Sequence, residues 1–305
     1  MDFNSSDIEL FISLFHGRED IYARRWEKDG KSGYMPAYDV DWEEYNKHKA
    51  QGGLFKNFKG KKPQPFSKNA VIEHLNGNAT IGIYALLPDN TSWFIAADFD
   101  GDNWESECLN YLNECRKSKL PAYLEKSRSG KGGHVWIFFD APYPAFKGRK
   151  IVFELLRKAY NVSEFDKEVS FDRLFPNQDY HSKQGFGNLI ALPLNGKSLA
   201  KGNSAFINPD TFETYPNQMG FLSTVQRLST AELESLFVEL FYNNSDKPQI
   251  LSGFSQPIKQ LQIILRNKII LNRIQLSPEI IAFLRDNLNF LNSDYIIKYK
   301  LGKST

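Results

Sequence analysis

The sequence predicts an α+β fold, and three patterns carry that expectation. Between Thr80 and Phe139 the hydrophobic period switches from two to 3.6 and back, giving strand, strand, helix, strand, turn, strand. From Ser229 onward the pattern turns mainly helical. With 305 residues, 41% apolar and 24% charged, the chain can bury a full core and has an ordinary globular balance.

Ile8 to Phe15 is apolar at helical spacing and follows Asn4-Ser5-Ser6-Asp7, a run suited to capping. Gly17 to Trp26 is dense in cations and aromatics. Arg18, Arg24 and Arg25 read either as phosphate contacts or as a solvated, ion-paired surface. Tyr34 to Asp41 reads as loop or edge strand, and Trp42 to Lys49 as a short helix. Ala50 to Lys68 has no period and reads as a loop. From Lys47 to Lys68 there are seven lysines and no acid, with Phe55, Phe58 and Phe66 between them. Such a run is either a solvated face or a grip for single-stranded nucleic acid.

Ala70 to Leu75 should be a short helix ending at Asn76-Gly77. Thr80 to Leu87 and Trp93 to Phe99 alternate as strands around Pro88-Asp89-Asn90, which predicts a hairpin. Trp104 to Lys119 is helical, with Trp104, Cys108, Tyr111, Leu112 and Cys115 forming one apolar stripe that Pro121 ends. Strands follow at Ala122–Glu125 and His134–Phe139, joined by the Gly/Ser/Lys-rich turn Lys126–Gly133. Pro142 and Pro144 mark a break. Lys150 to Tyr160 is a helix running on towards Val162. Gly187 to Leu194 reads as a buried strand, Asn195-Gly196-Lys197 as a turn and Ser204 to Ile207 as a short strand. Thr230–Tyr242 and Pro278–Leu291 are helical, Lys259–Ile274 is mixed, and no repeat is visible.

Cys108 and Cys115 form neither a disulfide framework nor a zinc pattern, so they read as buried thiols in a reducing compartment. The first residues lack the blocks of a signal peptide, and no apolar run approaches the ~20 residues of a membrane span. A cytoplasmic protein with no membrane partner is expected. The formal charge of +2 does not by itself indicate a nucleic-acid partner.

Two stretches carry chemistry. Asp98 and Asp100 end an apolar strand two residues apart, so their carboxylates share a face. Hard oxygen ligands suit Mg2+ or Mn2+, and two-metal phosphoryl chemistry wants a third carboxylate. Asp172, in Ser-Phe-Asp-Arg-Leu-Phe, is the first candidate and Asp179 the second. An exposed strand-end acidic pair without function is the competing reading. The turn Ser129-Gly-Lys-Gly-Gly-His134 brings backbone N–H groups, Lys131 and His134 to an anion, and it enters a strand, unlike a Walker loop. Gly302-Lys303-Ser304-Thr305 lacks the upstream glycine of a Walker loop, and His181 reads as a loop histidine.

In order, Asp98-Phe-Asp100, Ser129-Gly-Lys-Gly-Gly-His134 and Phe171-Asp172-Arg-Leu-Phe-Pro resemble the three motifs of archaeo-eukaryotic primases. Longer strings narrow this: Gly-Arg-Glu-Asp-Ile-Tyr-Ala-Arg-Arg-Trp, Tyr-Leu-Glu-Lys-Ser-Arg-Ser-Gly-Lys-Gly-Gly-His-Val-Trp-Ile-Phe-Phe, Asp-Arg-Leu-Phe-Pro-Asn-Gln-Asp and Gly-Phe-Gly-Asn-Leu-Ile-Ala-Leu-Pro-Leu. Together they resemble the primase domain of TOTE conflict systems and the related CRISPR-associated primase-polymerases, from about Leu10 to Leu222.

The resemblance implies an N-terminal α/β unit joined to an RRM-like unit, with the active site in the cleft between them. It implies a catalytic domain over 1–228, followed by a mainly helical region over 229–305. The implied activity is template-directed nucleotidyl transfer that starts primers on single-stranded DNA and extends them. Asp98, Asp100 and Asp172 would bind two Mg2+ or Mn2+ ions. Ser129, Lys131 and His134 would hold a dNTP or NTP, with Arg173, Asn188 and Lys197 nearby. Arg24, Arg25, Lys56, Lys59, Lys61 and Lys62 are the candidates for template. Helicase or CRISPR adaptation proteins are the implied partners. Relatives often carry zinc-binding cysteines ahead of the acidic pair. This chain has none there, so no zinc is expected and the basic loop takes that place. Relatives also continue into helicase or other domains, and an excised catalytic domain is one reading of this chain, left open by the sequence. A catalytically idle nucleic-acid-binding module and a metal-dependent nuclease are the alternatives.

Overall fold

Asn4 opens the first helix. Its side chain accepts from the Asp7 N–H at 2.9 Å while Asp7 accepts from the Asn4 N–H at 3.0 Å. In this computed structural model, which describes residues 3–160, 170–181 and 185–243, that box starts α1 (Ser5–Leu14). There follow β1 (Ala23–Lys28), β2 (Lys31–Pro36), β3 (Tyr38–Val40), α2 (Trp42–Ala50), β4 (Lys61–Pro63), α3 (Lys68–Leu75), β5 (Ile81–Tyr84) and β6 (Thr91–Asp100). Then come α4 (Trp104–Lys117), β7 (Tyr123–Lys126), β8 (Gly132–Pro144), α5 (Ala145–Tyr160), β9 (Phe171–Phe175) and β10 (Leu189–Ala191). The described chain ends with α6 (Gly196–Leu199), β11 (Ala205–Phe206), α7 (Gln218–Leu222), β12 (Arg227–Leu228), α8 (Thr230–Val238) and a π-helical turn, Glu239–Asn243.

Two main sheets result. One runs β10-β5-β1-β2, all antiparallel. The other runs β11-β7-β8-β6-β9, with β12 parallel to β8 beyond the end of β7. This is the mixed α/β architecture expected, but one pairing differs. The anticipated hairpin between Thr80–Leu87 and Trp93–Phe99 does not form, because β5 joins the first sheet and β6 the second. Leu87 and Thr91 still close a tight turn, with Leu87 N–H on the Thr91 carbonyl at 2.9 Å. The turn therefore links two sheets.

Strand alternation explains the layering. Ile95, Ala97 and Phe99 of β6, with Val135, Ile137 and Phe139 of β8, pack against the α4 stripe Trp104, Cys108, Tyr111, Leu112 and Cys115 and against Leu155 and Leu156 of α5. Leu233 and Leu236 of α8 join this core. The opposite face shows Phe94, Ala96, Trp136 and Phe138 to Phe11 and Phe15 of α1 and to Ile81 and Ile83 of the first sheet. Each fully buried side chain of this size is worth about 1.5–3 kcal/mol. The middle of β6 is thus buried on both faces.

Pro142 lies inside β8 and Pro144 is its last residue, directly before α5, and the β6–β8 pairing slips between Ser92↔Tyr143 and Phe94↔Phe138. Ala50–Lys68 is more ordered than a loop. β4 pairs with β3, and Tyr45 packs edge-on to Phe55 and Phe58. Among the described residues no helix is long and apolar enough to cross a membrane. The helix expected over Pro278–Leu291, the mixed stretch Lys259–Ile274 and the extension to Val162 lie outside the described residues.

Candidate active site

Following β6 along its Phe94/Ala96 face leads directly to Asp98 and Asp100 at the strand's end. Across the ladder, Asp98 stands opposite His134 of β8 on one side and Arg173 of β9 on the other. His134 in turn stands opposite Glu125 of β7. Glu125, His134, Asp98 and Arg173 therefore make one row across four strands.

Asp172 enters this row through an irregularity. Asp98 pairs with Arg173 and Phe99 with Phe171, so Asp172 is the extra residue of a bulge. Regular alternation would send Asp172 and Arg173 to opposite faces. In the bulge Arg173 Nε donates to Asp172 Oδ2 at 2.6 Å. Oxygens of Asp98, Asp100 and Asp172 all lie within 4.8 Å of one another. Asp179, the other candidate, pairs with Arg149 of α5 at 2.7 Å.

These three carboxylates could hold a divalent metal ion, and the electrostatics fit one. Burial pushes Asp98 up to about 6; His134 pulls it down, and the neighbouring charges of Asp100 and Asp172 push it up again. Carboxylates crowded at this distance repel unless a cation lies among them. An all-oxygen donor set suits a hard ion.

His134 is held from behind. Its Nδ1 lies 2.8 Å from Glu125 Oε2, and the same oxygen accepts from Trp136 Nε1 at 2.8 Å. Its Nε2 lies 3.4 Å from Asp98 Oδ1. Burial opposes charging of this imidazole, but Glu125 and Asp98 outweigh it and raise His134 to about 9. The charged ring is thereby favoured, with Nδ1 directed at Glu125 and Nε2 turned towards Asp98. Sequence reasoning missed Glu125. The available signal was an acid in the short strand before the turn, at the position that antiparallel register across the turn places opposite His134.

The turn before His134 is built by glycine. Gly130 has φ +75°, and a Cβ on Gly132 would come within 2.5 Å of Asp100 Oδ1. Ser129 Oγ accepts from the Lys131 N–H at 3.2 Å and lies 3.1 Å from Ser127 Oγ, while Lys131 is exposed. Asn188 accepts from the Asn177 N–H at 3.0 Å and donates to the Leu174 carbonyl at 3.3 Å, tying β10 to the end of β9. Lys197 is exposed on α6, whose backbone packs against Gly77.

Of the residues considered for template, Arg24, Lys56, Lys59 and Lys62 are exposed. Arg25 donates to Ser32 Oγ at 2.8 Å and pairs with Glu27 at 3.0 Å. The Lys61 ammonium is turned inward, onto the carbonyls of Phe55 and Lys56 and over the Tyr38 and Phe55 rings. Arg18 is bound to Asp20 and His181.

The family model described as "TOTE conflict system, Archaeo-Eukaryotic Primase domain" matches residues 6–236. Among solved structures, one similar chain is the polymerase domain from Mycobacterium tuberculosis Ligase D in complex with DNA. It is 12% identical, with a TM-score of 0.38, over 76% of this chain and 84% of that one. No curated protein matches.

Proposed function

The chain belongs to the archaeo-eukaryotic primase domain family of TOTE conflict systems, and from that premise we propose that it is a metal-dependent DNA primase-polymerase. It starts primers on single-stranded DNA from dNTPs or NTPs and extends them. The observation that carries the reading is the meeting of Asp98, Asp100 and Asp172 beside a charged histidine and a glycine-rich turn.

In this reading Asp98, Asp100 and Asp172 hold two divalent cations, Mg2+ or Mn2+. When bound, such cations lower the pKa of the attacking hydroxyl and neutralise the leaving pyrophosphate. The primer 3′-hydroxyl gives its proton to solvent as its oxygen bonds to the α-phosphorus, and the bond from that phosphorus to the bridging oxygen breaks, with pyrophosphate leaving. His134, fixed by Glu125, offers its Nε2–H to a phosphate oxygen, and Ser129, Lys131 and the turn's N–H groups bind the rest of the triphosphate. Arg173 adds a cation beside Asp172. Asn188 acts through β9, and Lys197 approaches from the neighbouring loop. Exposed Arg24, Lys56, Lys59 and Lys62 contact template. Helicase or CRISPR adaptation proteins are the proposed partners.

The test supplies a single-stranded template, labelled nucleotides and Mn2+, with and without a primer. Products longer than the input nucleotides support priming, shortened template means a nuclease, and binding without products means an idle module. Asp98→Ala combined with Asp100→Ala should abolish synthesis and leave single-stranded DNA binding intact. Normal extension by that double variant would sink the assignment.

A further inference from the structure

The β1–β2 hairpin has a face of which the proposed function draws on Arg24 alone. The two strands pair from Ala23↔Pro36 to Lys28↔Lys31, whereas β5 pairs with β1 only at Ala23 and Arg24. Past Arg25, whose N–H still reaches the Thr80 carbonyl at 2.9 Å, the hairpin projects as a two-stranded arm.

Directly opposed residues share a face. Arg25↔Tyr34 and Glu27↔Ser32 make the inner one. It is engaged, with Arg25 on Ser32 and Glu27, and the Tyr34 hydroxyl in the field of Arg128 and Glu125. Arg128 belongs to the turn before His134, so the inner face looks towards the candidate active site.

Arg24↔Met35, Trp26↔Gly33 and Lys28↔Lys31 make the outer face. Trp26 is 39% exposed and Met35 38%. A Cβ on Gly33 would lie 3.2–3.3 Å from three indole atoms, so the ring lies flat on the glycine and turns its other side outward. Arg24, Lys28 and Lys31 are exposed and hold no ion pair among the described residues. None of these three cross-strand pairs contains a carboxylate.

A flat, half-exposed indole among three unpaired cations matches the two requirements of single-stranded nucleic acid: a platform for a base face and positive charge along the backbone. We propose that the outer face of this arm binds single-stranded DNA, with a base stacked on Trp26 and phosphates against Arg24, Lys28 and Lys31. That the strand is template rests on the polymerase reading; binding by the arm does not.

The experiment measures anisotropy of labelled oligothymidylate, oligouridylate and a duplex, with EDTA and without nucleotides, over a salt series. Trp26→Ala should weaken oligothymidylate binding by about tenfold and Trp26→Phe should keep most of it. Lys28→Ala with Lys31→Ala should reduce the slope of log K against log salt by about 1.4. Lys28 and Lys31 are exposed, so their double variant should melt at the parent value, and Trp26→Phe, which keeps a ring on Gly33, separates lost binding from lost packing in Trp26→Ala. Parent-like binding by Trp26→Ala overturns the proposal and leaves the arm as a protein-facing surface. Duplex binding as tight as single-strand binding also overturns it, as does a loss confined to oligouridylate. If the parent extends primers while Trp26→Ala binds normally, only the arm assignment falls. If Trp26→Ala loses binding while the parent never extends, the arm stands and only the polymerase reading falls.

Discussion

Oε2 of Glu125 is shared between His134 Nδ1 and Trp136 Nε1, each at 2.8 Å, so one buried oxygen fixes both side chains of β8. A hydrogen bond to a charged group is worth about 1.5–3 kcal/mol, which corresponds to roughly ten- to hundredfold in rate. Glu125→Gln keeps an acceptor for Trp136 but removes the charge facing His134. It should lower kcat/KM for nucleotide by about that factor and shift the melting temperature little. Steady-state primer extension and thermal unfolding check this together. Parent-like extension would remove His134 positioning from the mechanism.

The crowded carboxylates make a prediction independent of activity. Without divalent cations, Asp172→Asn removes one repelling charge and only a half-exposed ion pair with Arg173, which contributes little. The metal-free variant should melt at or slightly above the parent. Saturating Mn2+ should stabilise the parent by about 3–4 kcal/mol, as ligand at a hundred- to thousandfold excess over its dissociation constant does. Asp172→Asn should lose most of that gain. Equal stabilisation of both proteins would place the metal elsewhere.

Much of the site was legible because it depends on local period. The α4 stripe is buried where its spacing put it, and Asp98 and Asp100 share a face because a strand repeats every two residues. What stayed hidden depends on which distant segments pair. Local alternation around Thr80–Phe99 suits a hairpin as well as it suits two strands in separate sheets. The bulge that turns Asp172 towards Asp98 exists only in the β6–β9 register, which no local pattern encodes. The lysine run looked uniform in sequence, yet Lys61 turns inward to bind carbonyls while its neighbours remain exposed.

Gly132 sits where no side chain fits. A Cβ there would press on the Phe99 carbonyl oxygen and come within 2.5 Å of Asp100 Oδ1. Gly132→Ala must displace either β6 backbone or the Asp100 carboxylate, and overpacking of this kind costs about 1–3 kcal/mol. Extension should fall at least about tenfold, with a weaker Mn2+-induced melting shift, since the displaced group is a metal-ligand candidate. The paired measurement is rate together with the Mn2+ shift. A variant that loses stability but retains both would show that β6 yields and Asp100 does not.

His74 gives the fold a pH dependence far from the acidic cluster. It is fully buried; Nε2 donates to the Pro193 carbonyl at 2.9 Å and Nδ1 accepts from the Ile81 N–H at 3.0 Å. That pattern needs the neutral ring, and burial lowers its pKa from 6.5 to about 4. The unfolded chain therefore takes up a proton before the folded one does. The contribution of the neutral ring is complete above the unfolded value of 6.5 and is lost progressively as pH falls towards 4. At 1.36 kcal/mol per pKa unit the loss reaches about 3 kcal/mol. His74→Gln retains a donor and an acceptor without titrating. It should be less stable than the parent near neutrality, and the gap should close as the solution is acidified. Urea unfolding of both proteins across this range measures the gap directly; a constant difference would mean that His74 is not what titrates.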